Sequence, residues 1–135
     1  MTRAKEAGVR AVRLSVSHAF HSPLVAAAAA ALGRHMATEQ LQPLSSTVYS
    51  TITGARLASG DDLGALLCKQ VTSPVRFMEA VQAAAEHADL LIEVGPGEVI
   101  SGLAAECAET PVVATDAGGP SLAGLLKAVA AAFVL

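Results

Sequence analysis

Apolar positions along the 135-residue chain switch between a helical and a two-residue period, and the switches mark out successive elements. Residues 2–8 (TRAKEAG) are polar and helix-competent, with Gly8 as a C-terminal stop. From Val9 to Val16 apolar and polar residues alternate, with Val12, Leu14 and Val16 on one side, which predicts a strand. His18 to Ser22 is a junction. Ser22-Pro23 then joins an N-cap residue to a proline at the first helical position, so a helix starts there and runs through the alanine tract. Its end falls at Gly33 or near Thr38.

The second half repeats the alternation. Thr47 to Thr53 is short and β-branched and stops at Gly54, as a strand followed by a turn would. Asp62 to Gln70 predicts a helix capped by Asp61 or Asp62. Ser73-Pro74 repeats the cap-plus-proline signal and predicts a helix over Val75 to His87, burying Phe77, Met78, Val81 and Ala85. Leu90 to Val94 is a short apolar strand closed by Gly95-Pro96-Gly97, and Glu98 to Cys107 is a helix opening from that turn. Pro111 to Thr115 is a second apolar strand, suited to parallel pairing with the first across the helix. A loop over Asp116 to Pro120 and a helix over Leu122 to Phe133 follow. The sum is an α/β architecture without internal repeats.

Composition narrows the classes. Hydrophobic residues make up 53% and charged ones 16%, which excludes a disordered chain. A net charge of −3 without a Lys/Arg cluster argues against nucleic-acid binding. The longest near-apolar run, Pro23 to Gly33, is far short of the roughly 20 residues that cross a bilayer. The 2 cysteines, Cys68 and Cys107, form no disulfide framework, and no signal peptide is evident. A soluble cytoplasmic globule is expected. Alanine is abundant while aromatic residues are only 3%, so the core of a free chain would be thin; that also fits a piece of something larger.

Chemistry concentrates in one tetrad. His35 and His87 lie late in predicted helices, where a surface histidine is ordinary. His18-Ala19-Phe20-His21 instead bridges a strand end and a proline-started helix, a loop placed by rigid elements. His21 precedes the Ser22 cap, where the positive end of the helix dipole disfavours imidazolium, and a neutral imidazole suits a general base. A histidine that satisfies backbone groups at this corner fits the same residues. No CxxC or HxxxH spacing supports a metal site. VGPGEV (94–99) could offer amides to an anion or be only a tight turn, and Glu93 reads as a surface or capping carboxylate. No serine sits in a GxSxG elbow, so a base is present without a nucleophile.

Four ordered segments resemble one family. VSHAFHSPL (16–24), VYSTITG (48–54), KQVTSPVRFMEAV (69–81) and LIEVGPGEVISGL (91–103) are similar to segments of malonyl-CoA:acyl-carrier-protein transacylases, in the form found as acyltransferase domains of modular polyketide synthases. The resemblance implies a Ser–His dyad that carries an acyl group from coenzyme A to the phosphopantetheine thiol of an acyl carrier protein, with no bound cofactor. It places the catalytic histidine at His21 and the backbone carbonyl that orients it at Gln70. It assigns His18, Ala19 and Phe20 to the acyl pocket and favours malonyl, Phe20 excluding an α-methyl group.

The resemblance also implies what should lie elsewhere. Family members are about twice this length. Their N-terminal half carries the GHSxG serine, the arginine that pairs with the malonyl carboxylate, and part of the oxyanion hole. Residues 1–16 would be the last helix and strand of a ferredoxin-like small subdomain. Residues 17–135 would be the C-terminal part of the hydrolase-like large subdomain, with short parallel strands and helices. The expected partners are that N-terminal half and the carrier protein, not nucleic acid or a membrane. Alone, the chain should not turn over; the alternative is a non-catalytic folding or docking unit.

Overall fold

Two three-residue strands in parallel register organise the C-terminal half of the computed structural model, which describes residues 2–12, 15–118 and 121–135. Strand β3 (Leu91–Glu93) pairs with β4 (Val112–Ala114), placing Leu91 beside Val112, Ile92 beside Val113 and Glu93 beside Ala114. The crossover between them is helix α5 (Val99–Ala105), as parallel strands require. Helix α6 (Ala123–Val134) packs on β4. It comes so close that a Cβ on Gly124 would lie 2.6 Å from the Thr115 carbonyl carbon and overlap its oxygen. The buried residues among those described are all small: Ala80, Ala104, Ala128 and Ser101.

The middle of the chain adds a second layer. Strand β1 (Tyr49–Ser50) turns back through Gly54 into β2 (Ala55–Arg56), an antiparallel hairpin. The sequence predicted one strand over Thr47 to Thr53; only Tyr49 and Ser50 pair, Thr51 to Gly54 form the turn, and the return strand is too short to show a period. Helix α4 (Phe77–Ala85) packs on this hairpin. Arg76 fastens the two together: its amide donates to Thr51 O (2.7 Å) and its guanidinium to Thr53 O (2.9 Å). Helix α3 (Leu63–Gln70) is capped by Asp62, whose Oδ1 accepts from Ala65 N at 2.9 Å. Helix α2 (Ala26–Met36) packs on α3.

Three expectations are corrected. No strand forms among the described residues of Val9 to Val16: these are irregular, with Val9, Val12 and Val16 exposed, while Arg13 and Leu14 lie outside the described residues. A period-two pattern needs an adjacent strand to pair with, and none is beside it among the described residues. The preceding helix α1 (Thr2–Glu6) does stop at Gly8, whose φ of 68° completes a Schellman turn with Val9 N on Ala4 O at 2.8 Å. Second, Ser73 caps nothing, and α4 begins at Phe77, three residues after Pro74. Third, Met78 is 54% exposed, and the buried position of α4 is Ala80. Phe77, Ala80, Val81 and Ala84 line one apolar face over β3.

The other elements fall where the sequence puts them, although Gly119 and Pro120 of the 116–120 loop lie outside the described residues. No helix among the described residues is long and apolar enough to cross a membrane.

Candidate functional site

The loop from Ser17 to Ser22 is built around its last residue. Ser22 Oγ accepts from Leu24 N (3.3 Å) and donates to Ala19 O (2.6 Å), so one hydroxyl caps the Pro23–Val25 helical turn and draws the tetrad into a tight loop. His21, inside that loop, has φ of 56°, a left-handed conformation that costs an L-residue free energy and collects at functional positions.

The conformation sends the imidazole towards α3. His21 Nδ1 lies 3.0 Å from the carbonyl oxygen of Gln70, the last residue of that helix. A carbonyl only accepts, so Nδ1 carries the hydrogen, and in the neutral ring Nε2 is left with its lone pair. His21 and Gln70 are 49 residues apart in sequence and are brought together here.

The other tetrad residues gather on themselves. His18 Nδ1 lies 3.0 Å from Ser17 Oγ. The His18 and Phe20 rings stack at 5.9 Å between centroids, tilted by 56°. Phe20 is 60% exposed, and its ring neighbour is His18. An apolar groove of about 340 Å³ runs past Gln70 between Leu41, Tyr49, Ile52, Leu63 and Leu66.

One amide of the glycine turn, that of Gly97, is taken by the protein itself. Gly97 N donates to Asp116 Oδ1 (2.8 Å), and the Glu93 carboxylate accepts from Ile100 N (3.2 Å) and Ser101 N (2.7 Å) at the start of α5. These bonds, that from Ser101 N foremost, lower the Glu93 pKa from its ordinary value, burial opposing them. Glu93 is thus the capping carboxylate of α5. Asp116, with its own left-handed φ of 44°, was not legible as a partner: it lies 19 residues from Gly97. His35 pairs with Glu39 at 3.5 Å on the surface. Among the described residues no three His, Cys, Asp or Glu side chains gather as metal ligands, and Cys68 and Cys107 are free thiols.

The fold is that of a class of α/β acyltransferases, and similarity to known proteins narrows the class. The chain is 42% identical over 103 residues to polyketide synthase GfsA of Streptomyces halstedii, covering 74% of this chain and 1% of that one. It is 37% identical over 102 residues to the malonyl CoA-acyl carrier protein transacylase of Bacillus subtilis, covering 74% of this chain and 32% of that one. The acyltransferase domain of an iterative polyketide synthase in enediyne biosynthesis superposes with a TM-score of 0.86 at 45% identity, covering 98% of this chain and 34% of that one. The malonyl CoA-acyl carrier protein transacylase of Clostridium perfringens gives a TM-score of 0.89 at 29% identity, covering 99% and 42%. No family model matches the chain.

The chain belongs to the malonyl-CoA:acyl-carrier-protein transacylase family, with the acyltransferase domains of polyketide synthases among its relatives. It spans 32% of the length of the Bacillus relative and a far smaller share of the synthases.

Proposed function

We propose that this chain is the base-carrying C-terminal part of an acyltransferase that moves a malonyl group from coenzyme A to the phosphopantetheine thiol of an acyl carrier protein. The observation that carries the reading is the Nδ1–H of His21 donated to Gln70 O, which leaves Nε2 to accept a proton. A serine from a segment outside these 135 residues attacks the thioester carbonyl and gives its proton to His21 Nε2. The tetrahedral intermediate collapses to a serine ester, and the departing coenzyme A thiolate takes that proton. The carrier's thiol repeats the steps in reverse.

His18, Ala19 and Phe20 wall the acyl group in this reading. Phe20 opposes an α-methyl substituent, a discrimination of about 1–3 kcal/mol. A second segment is needed for burial as well as chemistry. The surface accessible to solvent is 9939 Å². A compact monomer of 13.6 kDa exposes about 6,600 Å². The excess is several times the roughly 800 Å² that one partner buries in a standard interface. A self-sufficient folding or docking unit would have closed its core instead.

Intact mass after incubation with malonyl-CoA tests the proposal, using the chain alone and mixed with an N-terminal acyltransferase segment bearing GHSxG. A malonyl adduct on the added segment, dependent on this chain, is the expected result. No adduct in any mixture would overturn it.

A further inference from the structure

The carbonyl that orients His21 is free to do so because of what stands four residues after it. The helical ladder of α3 runs on past its last residue: Val71 N donates to Cys68 O (3.4 Å), Thr72 N to Lys69 O (3.2 Å) and Ser73 N to Lys69 O (3.1 Å). The Ser73 bond spans four residues, the full α-helical step. The next rung would run from residue 74 to Gln70 O. Residue 74 is Pro74, which has no N–H to donate. Its ring also disfavours helical backbone at Ser73, so the ladder stops one rung short. Downstream, Arg76 N is taken by Thr51 O at 2.7 Å, which holds the following segment against the β1–β2 hairpin. Gln70 O is left with His21 Nδ1 at 3.0 Å.

We infer that Pro74 is a positioning residue: by withholding an amide hydrogen it reserves the Gln70 carbonyl for His21 and so fixes which ring nitrogen is free. The inference rests on the reading of His21 as the base only for its consequence in turnover; the hydrogen-bond competition stands without it. An isolated neutral imidazole has no such constraint and exchanges between its two N–H forms. A donor restored at position 74 competes for the carbonyl and releases the ring.

The test uses the whole chain with 15N-labelled histidine at a pH where the rings are neutral, read through the nitrogen shifts that distinguish the two N–H forms. In the unmodified chain His21 is held as the Nδ1–H form. Pro74→Ala shifts it to a mixture, while His35 and His87 keep their spectra. Pro74→lactic acid, an ester link without an N–H, loses the ring of proline but adds no donor, and it retains the Nδ1–H form. Retention in both variants overturns the inference, because the donor then does not compete. Loss in both overturns it as well, because the rigidity of proline and not its missing hydrogen is then responsible. If the spectra behave as expected but His21→Ala leaves acyl transfer intact, the account of Pro74 stands and the proposed function falls.

Discussion

His21 Nδ1 meets the backbone carbonyl of Gln70 at 3.0 Å, so a residue in the left-handed region of a loop and the last residue of a helix together define one free ring nitrogen. Only the main chain of Gln70 takes part. Gln70→Ala keeps the carbonyl and a good helix former, so it should leave stability within about 0.5 kcal/mol and the His21 N–H form unchanged. Urea unfolding and histidine 15N spectra check this; a lost Nδ1–H form would show that the side chain matters.

Strain at His21 gives a second expectation. A left-handed φ costs a residue with a Cβ about 1–2 kcal/mol and glycine almost nothing. His21→Gly should therefore be more stable than His21→Ala by about 1 kcal/mol, although both remove the imidazole. Equal unfolding midpoints would contradict a strained loop.

Much of this corner was legible because its signals are local. Ser22-Pro23 reads as a cap and first turn, Asp61 or Asp62 as a cap, and the LLIEV and PVVAT runs as short strands around a helix, since each depends on neighbours in sequence. The failures depend on distant ones. Val9 to Val16 has a strand's alternation but no described strand to pair with. Ser73-Pro74 looks like the start of a helix, yet it ends the ladder of α3, because Ser73 N is already committed to Lys69 O. Met78 fits a helical stripe, but the hairpin and β3 select the face of Phe77, Ala80, Val81 and Ala84. The Gln70 partner of His21 came from family resemblance alone; no local pattern links residues 49 apart.

Gly124 is set by close approach. A methyl there would overlap the Thr115 carbonyl oxygen, and backbone cannot yield as a flexible side chain can. Gly124→Ala should destabilise the chain by about 1–3 kcal/mol despite alanine's better helix propensity. A stabilised variant in urea would contradict the packing of α6 on β4.

Glu93 makes stability depend on acid. Its pKa is depressed in the folded state by the Ser101 amide first, so its contribution is present above the ordinary value of 4.5. That contribution is lost as pH falls through the lower folded value. Glu93→Gln should flatten this part of the profile of urea midpoint against pH. An unchanged slope in the variant would show that the carboxylate does not cap α5.

The central claim is that His21 is the base for a serine supplied from outside these residues. Its most direct measurement is the rate at which that serine is malonylated when the N-terminal segment is complemented by this chain or by its His21→Ala variant. The account predicts a fall of about 10²–10⁴-fold with the variant, while the two chains still associate equally. An unchanged rate, or a stable malonyl adduct on the 135-residue chain itself, would contradict it.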